Sequence, residues 1–500
     1  MKNPIARWID VRIDLKTLRA QLIDRKVPGG LTWWHTLGSA TLAAFTVQVV
    51  TGVVLAMYYS PSPDHAYDSI RFLEHTVMSG AILRGMHHWG ASAMVVLVLA
   101  HMIRVFSTGA YKYPREMNWV LGVVLLFIVL GFSFTGYLLP WDQKAYWATQ
   151  VGTNIAGTTP LIGGIMVKLL RGGSQLGAET LTRFFSLHVL LFPLLLFGIV
   201  LLHISLVIRQ GIAPRPRALE VDAPARTSDP TYDAYYHEHY AKAKGADVRF
   251  WPDMVAKDLA VGTAVILVLF LLAYFSGAGL EAPADPTDAA YIPRPEWYFL
   301  PFFQLLKLVP GSWEAAVAVG VPGALVVVLL LLPFFDRRSK RSLFHRPVAG
   351  LLLVGTLASA GLLLGAALRG DRENVRPAFT GVPLSSIERA GRALFKSQNC
   401  TACHAIGDMK PDSSGDVNKA PDLTEVGFRH SSGWMHSFIE DPTRFHPDTR
   451  MPRFGLPKLT HMEMEELARY LSIMRGKHSM TETPQFVDTF PEPVKRMEHP

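Results

Sequence analysis

The chain has 500 residues, of which 49% are hydrophobic and only 18% charged, with a formal net charge of +8. Soluble chains are nearer a quarter charged, so the totals argue against a soluble globular protein. In a membrane protein a basic excess sits in loops on the negative side, so it does not point to nucleic-acid binding.

Residues 1–32 are polar and basic, with Arg7, Arg12, Lys16, Arg19, Arg25 and Lys26. They lack the short apolar core and small-residue cleavage site of a leader, so the first apolar helix is expected to direct insertion. Crossing the hydrocarbon core takes about 20 apolar residues. Seven stretches qualify: 34–58, 86–106, 118–139, 184–208, 257–276, 314–335 and 347–368. Lys and Arg collect before the first stretch and after the second (Arg104, Lys112, Arg115). They also follow the fourth (Arg209 to Arg249) and the sixth (Arg337, Arg338, Lys340, Arg341). The remaining loops carry acids, Asp64, Asp68 and Glu74 after the first span, then Glu281, Asp285 and Asp288 after the fifth. This bias predicts an N-terminus on the negative side and, after seven crossings, a C-terminus outside. The expected class is all-α, a polytopic helix bundle followed by a small soluble helical domain. Its parts are 1–210, a connection 211–256, 257–369, a linker 370–386 with Pro377 and Pro383, a soluble domain 387–477 and an extended tail 478–500.

The second span contains His87 and His101, the fourth His188 and His203. Fourteen residues return a helix to within about 40° of its starting direction, and fifteen overshoot by about 60°. Each pair therefore projects to one side of its helix, separated by roughly 21 Å along the axis. Two such helices make two His–His sandwiches, one near each membrane surface. His88 is thirteen residues from His101 and points about 140° away, which excludes it. A single intramembrane histidine can simply pack or hydrogen-bond; two matched pairs point to iron, held by two neutral imidazoles in a low-spin electron carrier. Gly38 and Gly52 in the first span, and Gly122 and Gly136 in the third, repeat the fourteen-residue spacing and leave room for a flat macrocycle. Arg84, Arg104 and Arg183 lie within five residues of a candidate ligand and could pair with haem propionates. Ordinary snorkelling arginine is the competing reading.

The two cysteines of the chain form Cys400-Thr-Ala-Cys403-His404, a c-type haem attachment pattern. The thiols bind the vinyl groups and His404 ligates iron. A zinc site would need further ligands, and no second Cys pair exists. By the charge argument the motif falls outside, the side on which such haem is attached. Met451, in Arg450-Met-Pro-Arg-Phe454 before a predicted helix 459–475, resembles the methionine ligand of small class I cytochromes c. Met409 and Met435 are alternatives, while Met462 and Met464 are assigned to packing or exposure.

Residues 10–368 resemble the cytochrome b of respiratory bc and photosynthetic bf complexes. The resemblance is carried by Gly136-Tyr-Leu-Leu-Pro-Trp-Asp-Gln143, Leu181-Thr-Arg-Phe-Phe-Ser-Leu-His188 and Pro295-Glu-Trp-Tyr298. Seven spans and the fifteen-residue second spacing are closer to the bf type, where a four-helix protein and a three-helix subunit are separate chains. The resemblance implies one haem on His87 and His188 and another on His101 and His203. It also implies a separate Rieske iron–sulfur protein, since no cysteines remain for a cluster, and a dimeric complex. The bf type carries an extra haem on a cysteine before the first-span glycine; Thr36 stands there, so that thioether cannot form.

Pro295-Glu296-Trp297-Tyr298 is then expected to bind quinol on the outer side, with Glu296 as general base and Tyr298 orienting it or the ring. Tyr137 and Asp142 end the third span on the same side and are secondary candidates. Asp253 and Asp258 enter the fifth span on the inner side and are candidates for the inner quinone site, a solvated face being the alternative. The expected function is quinol oxidation coupled to proton translocation, with electrons passing to a downstream cytochrome or oxidase. A linear relay without division of the two electrons is the second reading.

Overall fold

The computed structural model of the chain describes residues 8–488 except 9, 13, 15–16, 18, 21–22, 246–247, 282, 285, 287–293, 374–383, 407–419, 447–448, 450 and 477–483. Arg7, Lys16, Asp285, Asp288, Met409, Arg450, most of the linker 370–386 and most of the tail 478–500 therefore lie outside the described residues.

Among the described residues seven helices are long and apolar enough to span a membrane: Trp33–Tyr58, Gly80–Ser107, Glu116–Leu138, Ala178–Gln210, Phe250–Ser276, Trp313–Phe335 and Pro347–Arg369. The second and fourth start a turn or more before their apolar runs. Helical hydrogen bonding continues past the point where hydrophobicity stops, and residues such as Arg84 and Thr180 are buried within those extensions. This is a multi-pass membrane protein, all helical apart from isolated bridges among the described residues.

Two compact units form. The larger comprises Met1–Trp141, Ala148–Ala278 and Glu296–Gly361; the smaller comprises Asp142–Trp147, Gly279–Pro295 and Leu362–Pro500. In the larger unit the first four spans meet on a buried core of Ala44, Met94, Val95, Val98, Leu126, Val129 and Leu196. Trp119 and Val123 of the third span pack against Leu329 and Leu330 of the sixth, where Trp119 Nε1 donates to the Leu329 carbonyl at 2.6 Å.

The four basic segments come together at one end of this bundle. Arg215 Nε donates to the Gly30 carbonyl (2.6 Å), and the Phe250 amide donates to the Arg25 carbonyl (2.9 Å). Lys112 Nζ donates to Asp336 Oδ1, Arg338 O and Lys340 O, each at 2.8 Å. The Arg341 guanidinium reaches Gly109 O (2.9 Å), Tyr113 O (2.8 Å) and the Tyr232 hydroxyl (3.2 Å). Glu220 accepts from the backbone amides of Arg341 and Ser342 and contacts His345 Nδ1 at 2.7 Å. Lys112, Arg341 and Arg346 are buried, so these charges tie segments together besides marking a side. At the opposite end the Tyr59 hydroxyl donates to Leu139 O (2.7 Å) and Trp89 Nε1 to Gly277 O (2.7 Å).

In the smaller unit the helices Ser386–Ser397, Ser432–Glu440 and His461–Ser472 enclose a core that includes Phe395, Ile406, Met435, Ile439, Leu459 and Met464. Ser385 with Glu388, and Thr460 with Glu463, form capping boxes that start the first and last of these. Gly391 lets those two helices touch, since a Cβ there would lie 2.0 Å from the Glu466 carbonyl oxygen.

Candidate functional site

The four span histidines meet as two pairs. His87 faces His188 with ring centroids 6.1 Å apart, and His101 faces His203 at 6.5 Å; both pairs are inclined at 72°. Two metal–nitrogen bonds of about 2 Å plus the half-widths of two imidazoles add to roughly 6 Å. Each gap thus fits one iron between two nitrogens.

Each glycine of the fourteen-residue repeats faces one of these rings. A Cβ on Gly52 would lie 3.2 Å from His87 Cε1, on Gly136 2.4 Å from His188, on Gly38 3.4 Å from His101, and on Gly122 3.9 Å from His203. At Gly136 any side chain would displace the imidazole.

The unequal spacings, fourteen in one helix and fifteen in the other, are reconciled by a π-helical turn at Leu187–Leu191, directly after Ser186. Such a turn accommodates one extra residue. Removing about 100° from an overshoot of about 60° leaves about −40°, the offset of the second span.

Hydrogen bonds set the tautomer of one pair. His188 Nδ1 lies 3.1 Å from the Phe132 carbonyl, an acceptor only, so Nδ1 carries the proton. Thr51 Oγ1 lies 2.9 Å from His87 Nδ1 and 2.6 Å from Val47 O; its proton goes to the carbonyl, so it accepts from Nδ1–H. In both rings Nε2 is left with the lone pair a metal requires. Thr135 approaches His188 Nδ1 at 3.4 Å in the same manner. Sequence reasoning missed both threonines. The signal was a Thr-Gly dipeptide, 51–52 and 135–136, at matching places in the first and third spans.

The arginines differ. Arg84 is buried, ion-paired with Glu74 and bonded to Ala278 O at 2.9 Å. Arg183 is exposed and caps the helix Gly163–Arg171 through Lys168 O and Leu169 O, both at 2.8 Å. Arg104 makes no ion pair among the described residues, and its Nε is buried without a hydrogen bond.

Glu296, Trp297 and Tyr298 form a turn closed by Phe299 N→Glu296 O at 2.9 Å. Trp297 Nε1 donates to Ser92 Oγ at 3.3 Å, five residues beyond His87. The Tyr298 phenol lies beside Ser133, three residues before Gly136. Burial pushes this phenol well above its ordinary pKa, Ser133 opposes the shift and the Glu296 charge adds to it, so it stays a protonated donor. The turn is therefore seated on the second and third spans at the level of the His87/His188 pair. Tyr137 is half-buried at the end of the third span. In the smaller unit Asp142 accepts from Ala145 N (2.8 Å) and Glu281 N (3.1 Å), which makes it a helix cap and a loop tether; Pro295 is half-buried there.

At the basic end Asp253 accepts from Arg249 N at 3.0 Å and lines a cavity of about 190 Å³ with Gly30, Leu31, Val248, Met254 and Lys257. Asp258 faces Ser39.

In the smaller unit Cys400–Ala402 is a 3₁₀ turn that brings Cys403 and His404 round through bonds to Cys400 O. His404 Nδ1 donates to Pro421 O at 2.9 Å, leaving Nε2 as the ligand atom. Burial lowers the His404 pKa against the opposing Pro421 bond and Asp422 charge, favouring the neutral ring a metal binds. Met451 is half-buried against the domain core. Met435 and Met464 are buried within that core, while Met462 is exposed.

Three family models match along the chain: cytochrome b/b6/petB over residues 22–211, the cytochrome b C-terminal/b6/petD model over 283–376, and cytochrome c over 388–474. The cytochrome b subunit of the menaquinol:cytochrome c reductase of Bacillus subtilis is 44% identical over 221 residues, 43% of this chain and 99% of that protein. The chain belongs to the cytochrome b family. The cytochrome bc complex cytochrome b subunit of Chlorobaculum thiosulfatiphilum is 34% identical over 370 residues, 71% of this chain and 80% of its own length. A solved structure described as a hyperthermophilic respiratory Complex III matches with a TM-score of 0.61 and 29% identity, covering 72% of this chain and 91% of that one. The chain is thus a redox subunit of the bc-complex type, a cytochrome b joined to a cytochrome c domain, and a haem protein by family.

Proposed function

We propose that the chain oxidises membrane quinol at the Pro295–Tyr298 turn and divides its two electrons between a transmembrane and an outward route. The observation that carries this reading is the seating of the turn, through Ser92 and Ser133, beside the His87/His188 pair. His87 with His188, and His101 with His203, would hold two non-covalent b haems; Cys400, Cys403, His404 and Met451 would hold a c haem. When bound, the b haems supply one-electron carriers across the membrane and the c haem an outward one. Glu296 takes a proton from the quinol hydroxyl, and Tyr298, held neutral by burial, donates a hydrogen bond to the ring oxygen or to Glu296. Thr51, Thr135 and the Phe132 carbonyl hold the Nε2 atoms of His87 and His188 toward their metal. Asp253 and Asp258 stand at the basic end, where quinone reduction would draw protons.

The first acceptor is a separate Rieske iron–sulfur protein, since the chain's two cysteines both lie in the c-haem motif. The complex is a dimer in the cell membrane, N-terminus on the negative side and cytochrome c domain outside. Menaquinol, named for the Bacillus relative, is the first quinol to assay.

The test is oxidant-induced reduction of haem b. The complex is equilibrated with quinol, the inner quinone site is blocked, and an oxidant pulse is added. A transient rise in reduced haem b is expected. If haem b only becomes oxidised in an active complex, the chain is a linear relay and the division of electrons is wrong.

A further inference from the structure

The two histidine pairs carry the same arginine in mirrored places. Arg84 stands three residues before His87, and Arg104 three residues after His101, each one turn away on the ligand face of the second span. Their surroundings differ. Arg84 is ion-paired with Glu74, both side chains being at most 15% exposed. Arg104 makes no ion pair among the described residues. Arg104 stands one helical turn from His101, and Arg115, which donates to the carbonyls of Gln210 and Gly211 and lies over the Tyr236 and Tyr240 rings, adds a second cation nearby. The arginine beside His87 is thus neutralised by a carboxylate, and the arginine beside His101 is not.

We infer that Glu74 is a positioning residue that lowers the reduction potential of the His87/His188 haem relative to that of the His101/His203 haem. The inference rests on the haem assignment proposed above. Adding an electron adds one negative charge, so an uncompensated cation nearby favours the reduced form and a neutral ion pair does not. In a site shielded from water, one unit charge about 10 Å away shifts a one-electron equilibrium by roughly tenfold or more. Propionates would add equal charge at both ends, so they do not cancel the difference; Glu74 does not belong to the haem and acts at one end only. The resulting gradient runs in the direction that draws electrons from the quinol turn toward the basic end. Glu74 lies ten residues from Arg84, on the short helix Ala66–His75, and its side chain also fixes which way the guanidinium faces.

The experiment is an optical redox titration of the whole complex, resolving the two b haems, for the parent chain and for Glu74→Gln, Glu74→Asp and Arg104→Gln. Glu74→Gln is expected to raise the potential of the His87/His188 haem by about tenfold in equilibrium constant, about 59 mV. The other haem should stay in place, and Glu74→Asp, which keeps the charge, should restore the parent value. Arg104→Gln should lower the other haem alone, which tests the charge argument even if Glu74→Gln does not assemble. Unchanged potentials in both variants, or equal movement of both haems, would overturn the inference. Failure of the haem assignment itself reads differently: the parent complex would then lack two low-spin b haems.

Discussion

Glu296 and Tyr298 have separable jobs at the quinol turn, and their replacement should separate them. A general base contributes about 10²–10⁴-fold in rate, so Glu296→Gln is expected to slow quinol oxidation by at least about 10²-fold with the haem spectra unchanged. Tyr298→Phe removes one hydrogen bond, worth about 1 kcal/mol, and should slow turnover by roughly fivefold. Because burial and the Glu296 charge outweigh the Ser133 bond and hold the phenol protonated above its ordinary range, that variant should keep the shape of the parent pH–rate profile. Steady-state rates from pH 5 to 9 on both variants, at roughly unit pH steps, check the pair. A profile that loses a limb in Tyr298→Phe would mean that the phenol itself exchanges the proton.

At the scale of elements the fourth span carries the more telling design. Its fifteen-residue spacing would turn His203 about 60° past the direction of His188 on a regular helix, and the π turn at Leu187–Leu191 cancels the excess. Leu190 in this turn is 72% exposed, so removing it disturbs no packed core. Deleting Leu190 leaves fourteen residues, a spacing a plain α-helix can use, and both b haems should remain. Inserting an alanine after Leu196 instead rotates His203 by about 100° and should empty the His101/His203 site while the other survives. Haem content by pyridine haemochrome decides: two b haems per c haem for the deletion, one for the insertion.

At the scale of the molecule the basic end is a joint. The turn after the second span, the connection and the turn after the sixth span are tied by Lys112, Glu220, Asp336, Arg341 and Arg346. Burial raises the Glu220 pKa, but the amides of Ser342 and Arg341 and the His345 side chain outweigh it and hold the carboxyl below its ordinary value. A group with a depressed folded pKa contributes stability above its unfolded pKa and loses it as pH falls through the folded one. The joint should hold at neutral pH and weaken below about pH 4. Glu220→Gln is expected to lower the thermal transition of the purified complex by a few degrees at pH 7 and to remove this part of the acid dependence. Scanning fluorimetry at a series of pH values measures both. An acid step of unchanged size in the variant would assign it to other carboxylates.

The sequence by itself determined the seven spans, the side shared by the basic segments, the four histidines and the Cys-Thr-Ala-Cys-His motif. Hydrophobic length, charge bias and helical period are local properties, and each can be counted along the chain. Tertiary structure decided which groups those local signals meet. Thr51 reaches His87 from another helix, Glu74 claims Arg84, and Arg183 is spent on capping the helix before it. Lys112 and Arg341, counted from sequence only as positive charge, prove to be buried ties between distant segments. Spacing along one helix says which face a side chain takes; what stands opposite that face depends on how the other helices pack.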